Sequence, residues 1–278
     1  MCIRDSYLPF DVSLSVTSTP LLENLYWKEA PIFECCPSVK GEPMHGSVFE
    51  NGPKAPAPET VQVPDVIPIF PLPRVVLLPA EVLPLHVFEP RYIEMVRDAI
   101  SSHRVIGMVE VLPGHEKDLP GSPPVRDFGC VGFIASYEEI EDGRYLMWLL
   151  GLERFQIQEE LEVATGYRQV RVHYQPTPES AKRLAGIRSL REELRTVLPQ
   201  LVDLEESSRE HFARHLVEVS DAQLIALASQ ILELPSDRKQ ILLEAETLSD
   251  RFLMVYEDLY RHLDVNPEFE SFTPDELN

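Results

Sequence analysis

Short runs of β-branched and aromatic residues dominate the middle of the chain. They occur at residues 104–111, 127–140, 144–150, 154–158 and 167–174. Gly, Pro or Asp lies between most of these runs, as expected between strands. Residues 66–88 are long enough to span a bilayer, but five prolines, Arg74 and Glu81 interrupt them, so we predict successive extended segments. The pattern therefore predicts a β-domain over residues 61–175.

Apolar residues at helical spacing predict one helix inside this β-domain and a bundle of helices after it. The first helix follows Pro90 and carries Tyr92, Met95, Val96, Ala99 and Ile100. After Pro178 the candidate helices are 179–203, 206–219, 221–233 and 236–263. Ser220 and Asp221 form a cap signal, and a single apolar stripe runs from Ile241 to Leu263. We predict a helical bundle over residues 176–264 that ends in a long helix.

The two ends of the chain differ from these domains. Residues 1–60 mix Pro, Ser, Gly and short polar runs without a sustained period, which predicts a mostly disordered lead-in. The opening MCIRDS resembles nothing else in the chain, and we suspect that it is not native sequence. Residues 265–278 form an acidic segment, which we predict to be a flexible tail.

The charge of the chain limits the classes of partner, and its cysteine content indicates the compartment. The net charge is −21, and none of the segments 1–60, 61–175 and 176–278 is basic. Such a chain repels nucleic acid and anionic membranes on average, so we expect neither as a partner. The four cysteines show no C-x-x-C spacing and no secretory signal is visible, which favours free thiols and a cytoplasmic location.

The stretch PLHVFEPRY, residues 84–92, places several side chains capable of chemistry close together. A structural interpretation accounts for most of them. Pro84 and Pro90 push the residues before them into extended geometry, and Pro90 suits the first turn of a helix. Glu89 is placed to meet the free N–H groups of that helix, and Arg91 to pair with Glu89. We therefore predict that these residues stabilise the fold. We assign no structural role to His86.

The stretch GLERF, residues 151–155, carries a break in the alternation of its strand. Strict alternation would place Glu153 on the same face as Phe155. A bulge or bend at Gly151 would reset the face that points inward. Arg154 would then lie opposite Phe155, free to pair with an acid such as Glu153 or Glu89.

Several of these segments together resemble the substrate-binding domain found at the N-terminus of Lon proteases and in stand-alone proteins. The resemblance is strongest in IPIFPLPRVVLLPAEVLPLHVFEPRYIEMVRDAI (67–100), and it continues through VIGMV (105–109), FGCVGFI (128–134), GLERFQI (151–157) and the helical residues 228–259. It implies an α+β fold: a PUA-like, mostly antiparallel β-domain with one inserted helix, followed by the helical bundle. It also implies binding of proteins or peptides, and it implies no catalytic residue and no cofactor.

Catalytic motifs are not evident in the sequence. A P-loop needs a lysine after its second glycine, and the glycine pair with that spacing, Gly41 and Gly46, is followed by Ser47. There is no G-x-S-x-G motif, and no lysine is a convincing partner for a serine nucleophile. We therefore expect neither an ATPase nor a protease.

The sequence gives equally weak evidence for a metal site. His211 and His215 share one helical face, but Phe212 stands where a zincin needs glutamate, so we interpret them as solvated. Cys130 is interpreted as a small packed hydrophobe, and the acidic run 138–143 as a turn around Asp142–Gly143. We assign no catalytic, cofactor-binding or metal-binding residue, and the sequence does not identify the peptide-binding residues.

Three functions follow from these observations. The first is a non-catalytic module that binds unfolded or extended polypeptide, or a protease or chaperone system. The second is RNA binding, by analogy with other PUA-like folds, which the acidic β-domain argues against. The third is a hydrolase with no identifiable site. The first is the function that we expect.

Overall fold

The computed structural model describes residues 61–119, 121–140, 142–177 and 187–263. The predicted lead-in over residues 1–60 and the predicted acidic tail over residues 265–278 lie outside these ranges. So do Cys35, Cys36 and the glycine pair Gly41 and Gly46. The described residues form an α+β structure of six strands and six α-helices.

The strands occupy the part of the chain where the sequence predicts them. Their bounds are β1 Val66–Leu72, β2 Val82–Val87, β3 Val105–Glu110, β4 Phe128–Glu139, β5 Tyr145–Leu161 and β6 Gln169–Tyr174. They form one sheet in the order β2-β5-β4-β3-β1-β6, and a further pairing between β5 and β6 closes it into a barrel. Only the β1–β3 pair is parallel among the described strands, so the sheet is mostly antiparallel, as expected.

The helices follow in the predicted order with shorter bounds. They are α1 Pro90–Ile100, α2 Arg188–Leu201, α3 Glu206–Glu218, α4 Asp221–Ile231, α5 Ser236–Glu244 and α6 Leu248–His262. Helix α4 begins with the expected cap: the Ser220 hydroxyl accepts from the Gln223 N–H, and the Gln223 side chain accepts from the Ser220 N–H. Such a reciprocal pair satisfies two N–H groups that have no partner inside the helix.

The prediction of one helix over residues 236–263 is wrong. The structure has two helices there, α5 and α6, and the chain between them is extended at Ala245 and Thr247. Thr247 starts α6, because its hydroxyl accepts from the Asp250 N–H and the Asp250 carboxylate accepts from the Thr247 N–H. An apolar stripe at helical spacing continues across such a break, since it depends on the spacing of residues and not on the backbone between them.

Strand β5 has the irregularity that the sequence indicates. Gly132 pairs with Gly151 and Val131 with Glu153, so Leu152 is the additional residue of a β-bulge. Gly151 is required beside this bulge, because a Cβ atom there would lie 2.1 Å from the carbonyl oxygen of Leu78. Consecutive side chains lie on opposite sides of the sheet, and the bulge determines that Phe155, and not Arg154, points into the barrel.

Phe155 lies at the centre of the barrel core. Its side chain is fully buried within a cluster of apolar residues from five strands. The other members of the cluster are Ile67, Ile69, Val105, Val109, Val131, Phe133, Val170 and Val172. Burial of this cluster provides the main apolar contribution to barrel stability.

Arg154 points away from this core and holds the helices. Its Nη1 donates to the carbonyl oxygens of Leu243 at 3.2 Å, Glu244 at 2.9 Å and Ala245 at 2.7 Å. The predicted carboxylate partners, Glu153 and Glu89, are therefore not its hydrogen-bond acceptors. Instead the guanidinium meets the carbonyl groups at the end of α5, where the helix dipole favours a cation.

A second buried arginine shares these acceptors. Arg251 of α6 donates from Nη2 to Leu243 and Ala245, at 3.3 Å in each case. Burial and the adjacent charge of Arg154 lower the pKa of Arg251 to about 10. Burial also lowers the pKa of Arg154. The carbonyl oxygens of Leu243 and Ala245, at the end of α5, thus accept from two guanidinium groups. One belongs to β5 and the other to α6.

Glu81 makes another connection between the strands and the helices. Its buried carboxylate accepts from the Leu78 N–H at 2.9 Å, from Gln230 Nε2 at 3.0 Å and from Lys239 Nζ at 2.5 Å. Gln230 belongs to α4 and Lys239 to α5. These hydrogen bonds from separate parts of the chain fix both helices against the loop before β2.

We predict that Arg154→Met lowers the free energy of unfolding by about 2–4 kcal/mol, because buried carbonyl oxygens lose a charged donor. Chemical denaturation of the whole chain measures this change. The matched control is Arg171→Met on β6, whose half-exposed guanidinium lies 3.6 Å from Glu159 and should contribute less than about 1 kcal/mol. Equal losses for the two variants would contradict the role of Arg154.

Candidate functional site

The stretch PLHVFEPRY divides into two parts in the structure. Glu89 and Arg91 pair, with Arg91 Nη2 3.0 Å from Glu89 Oε2. The Glu89 side chain does not cap α1, which corrects that part of the prediction. Pro90 is the first residue of α1, as predicted. The second part, which contains His86 and Phe88, lies on the surface.

Arg91 holds the loop between β3 and β4. Its Nη2 donates to the Leu119 carbonyl at 2.6 Å and its Nη1 to the Gly121 carbonyl at 3.2 Å. Arg168, just before β6, binds the same loop through the Pro123 carbonyl at 2.8 Å. Two guanidinium groups from different parts of the chain therefore fix this loop through its backbone.

His86 and Phe88 belong to an exposed face of the sheet. Side chains alternate between the two faces of a strand, so Val82, Pro84, His86 and Phe88 project to one side of β2. The register places Pro84 opposite Trp148 and His86 opposite Leu146 on β5. We call this surface the β2 face; it consists of Val82, Pro84, His86, Phe88, Leu146, Trp148 and Leu150.

The two faces of this part of the sheet are both apolar but differ in exposure. On the inner side, Leu85, Val87, Met147 and Leu149 are buried. On the β2 face, Pro84 and His86 are exposed, Trp148 is half-buried, and Phe88 retains 55% of its accessible area. An antiparallel sheet that faces solvent normally carries polar residues on its outer side. Clustered apolar side chains there are typical of an interaction surface.

The β2 face has little charge of its own. The rings of His86 and Phe88 are in edge-to-face contact, with centroids 5.7 Å apart. Partial burial, followed by the positive charge of Arg144, lowers the pKa of His86. The imidazole is therefore neutral at pH 7 and contributes an aromatic surface. Arg144 itself pairs with Asp142 at 2.5 Å in the β4–β5 hairpin.

The other predicted chemical residues do not come together. His211 and His215 both lie on α3, and among the described residues no group of three or more His, Cys, Asp or Glu side chains is placed to hold a metal ion. Cys130 is fully buried with a free thiol, and burial raises its pKa, which matches its interpretation as a packed hydrophobe. Gly143 has φ 79°, as the predicted turn at Asp142–Gly143 requires.

A small cavity lies where the helices meet the loop before β2. Its volume is about 10 Å³, and it is lined by Leu78, Pro79, Ala222, Ile225, Leu248 and Arg251. Such a volume holds about one water molecule. It is too small for an organic ligand.

The β2 face could have been found from the sequence. In YLMWLL, residues 145–150, both strand faces are apolar, which is unusual for a strand with a solvent-facing side. Phe88 continues the alternation of LPLHVF on the same side. What the sequence did not show was that β2 and the first half of β5 are neighbours.

Comparison with known proteins connects this architecture to a family. The sequence model of the ATP-dependent protease La (LON) substrate-binding domain matches residues 66–261. The chain belongs to this family. The match spans the barrel and the helices, so both parts are shared with the family.

Two relatives show how much of a longer protein this LON substrate-binding domain chain resembles. Lon protease 2 of Myxococcus xanthus is 29% identical over 239 residues, which is 82% of this chain and 28% of that protein. The Lon protease of Anaeromyxobacter dehalogenans is 27% identical over 208 residues, covering 73% of this chain and 24% of that protein. The chain thus spans about a quarter of the length of these relatives.

A solved structure supports the fold of the LON substrate-binding domain described above. The N-terminal domain of the Mycobacterium avium complex Lon protease matches with a TM-score of 0.56 at 16% identity. The match covers 71% of this chain and 99% of that domain. No described helix is long and apolar enough to cross a membrane.

We predict that Arg91→Ala lowers the free energy of unfolding by about 1–3 kcal/mol, since two loop carbonyls lose their donor. Glu89→Ala should cost less than about 1 kcal/mol, because the carboxylate is about half exposed and caps nothing. Thermal and chemical denaturation measure both changes. Equal losses, or a loss of binding by folded Arg91→Ala protein, would contradict this structural role.

Proposed function

We propose that this chain is a non-catalytic polypeptide-binding module and that the β2 face binds extended or partly unfolded segments. The observation that carries the proposal is the solvent-exposed apolar face of an antiparallel sheet, with Phe88 55% exposed. Membership of the LON substrate-binding domain family supports the class of partner. A separate protease or chaperone system is the proposed recipient of the bound segment.

The shape and charge of the surface favour an extended partner. The β2 face lies across two strands, so it offers rows of apolar side chains and no enclosed pocket for a small ligand. The net charge of −21 repels acidic segments and attracts basic ones. An apolar segment that carries Lys or Arg is therefore the best match.

RNA is the alternative partner, and most of the arginines of the barrel argue against it. Carboxylates pair with Arg91, Arg97, Arg126, Arg144, Arg168 and Arg171. Arg154 is buried against carbonyl oxygens. RNA binding needs unpaired cations that can neutralise phosphates. These ion pairs would have to break before the guanidinium groups could bind RNA phosphates.

The proposed binding requires neither ATP nor a chemical step. Ordering a flexible partner offsets much of the contact energy, so we expect dissociation constants on the order of micromolar. The buried free thiol of Cys130 suits a reducing compartment, and we propose the cytoplasm as the location.

We predict that the whole chain binds fluorescein-labelled, reduced and alkylated lysozyme, and that Phe88→Ser weakens this binding about threefold to tenfold through lost apolar contact. Fluorescence anisotropy at low and high salt measures the affinity. Val217→Ser on α3 is the matched control, because Val217 is 64% exposed and lies outside the β2 face. That variant should bind like the unmodified chain.

The same titration with a structured RNA distinguishes the two partners. Apolar binding of the polypeptide should persist at high salt, whereas phosphate contacts weaken steeply. Tighter binding of RNA with a steep loss in salt would overturn the proposal. So would equal effects of Phe88→Ser and Val217→Ser, or no binding of unfolded lysozyme.

A further inference from the structure

Strand β2 has a free edge beside the β2 face. It pairs with β5 on one side, and no described strand pairs with it on the other. Pro84 and His86, in the middle of the strand, are both exposed. An unpaired strand edge presents backbone N–H and C=O groups that can accept another strand.

Pro84 shows which backbone groups face that edge. In an antiparallel pair, alternate residues exchange both of their backbone hydrogen bonds with the neighbouring strand. Pro84 has no N–H, so its pair with Trp148 is a non-hydrogen-bonded pair. The alternation then directs the N–H and C=O groups of Val82, Pro84 and His86 outward.

Two observed hydrogen bonds support this assignment. The Glu81 carbonyl accepts from the Gly151 N–H at 2.8 Å, so the residues at odd positions face β5. The Val82 carbonyl accepts from Gln230 Nε2 of α4 at 3.5 Å, so the residues at even positions face away from β5. Helix α4 thus covers the Val82 end. The Pro84 carbonyl and the His86 N–H and carbonyl remain directed to the open part of the edge.

We propose that an extended polypeptide segment adds to β2 as a further strand, through backbone hydrogen bonds to Pro84 and His86. This inference rests on the proposed function and specifies how the partner binds. Main-chain bonds provide a large part of the affinity in strand addition, and alternate side chains provide the selectivity. Alternate apolar side chains of the added strand extend the β2 face next to His86 and Phe88.

The net charge of the chain determines which kind of polypeptide segment can add to β2. A second copy of the chain would bring another net charge of −21 to the same edge, which opposes pairing between copies. A basic segment is attracted. The neutral imidazole of His86 leaves the edge itself uncharged. The occupant is therefore an extended segment of a different polypeptide, with apolar residues alternating with Lys, Ser or Thr.

The inference predicts a difference between two substitutions of one residue. His86→Pro removes the outward N–H, whereas His86→Ala removes the imidazole and keeps the N–H. Neither touches a hydrogen bond to β5, since the residues bonded to β5 are at odd positions. We expect the proline variant to bind a short fluorescein-labelled peptide of Val and Phe alternating with Lys and Ser about threefold to tenfold more weakly than the alanine variant.

Modified peptides provide a second test. It uses the unmodified chain, so it does not depend on whether a variant folds. Analogues N-methylated at every second amide, in either register, keep the side chains and lose the backbone donors. We expect the analogue methylated at the amides that face β2 to bind the unmodified chain about tenfold more weakly, and the analogue methylated at the outward amides to bind like the parent peptide. Amide hydrogen exchange should slow at His86 when the parent peptide binds, and it should stay unchanged at Leu85, whose N–H already faces β5.

The outcomes separate this inference from the proposed function. If unfolded lysozyme binds but N-methylation changes nothing and His86 gains no protection, strand addition is wrong while polypeptide binding stands. If neither lysozyme nor peptide binds, both are wrong. Sedimentation of the chain alone completes the test: dimers that persist with saturating peptide would show that a second copy occupies the edge, which also overturns the inference.

Discussion

A guanidinium group buried beside a sheet must find acceptors, and Arg154 finds them at the end of a helix. Its contacts with the carbonyls of Leu243, Glu244 and Ala245 fix α5 on the barrel. They exist only because the bulge at Leu152 directs Arg154 outward while Phe155 fills the core. The register of β5 therefore determines both the barrel interior and the position of the helices.

The same strand also creates the candidate site. The first half of β5 pairs with β2 and contributes Leu146 and Trp148 to the β2 face, whereas its second half pairs with β6 and closes the barrel. Barrel closure leaves β2 with a single neighbouring strand and hence with a free edge. A natural sheet usually protects such an edge with proline or charge. Here Pro84 removes one outward donor, and the outward backbone groups of His86 remain.

Internally paired and surface side chains are separated within the stretch PLHVFEPRY. Arg91 holds the loop between β3 and β4 through backbone carbonyls and pairs with Glu89. The side chains of His86 and Phe88 remain on the surface, where their rings contact each other. His86 and Phe88 are on the surface because of strand alternation, since Leu85 and Val87, which alternate with them, point to the buried side.

The sequence by itself determined the strand and helix regions, the bulge beside Gly151 and the placement of Pro90 at the start of α1, because these depend on local propensity and on alternation. Tertiary structure decided the rest. The partners of Arg154 lie about ninety residues away from it along the chain. No periodicity encodes such contacts, because they form only when the barrel has closed and the carbonyls at the end of α5 arrive beside a buried charge.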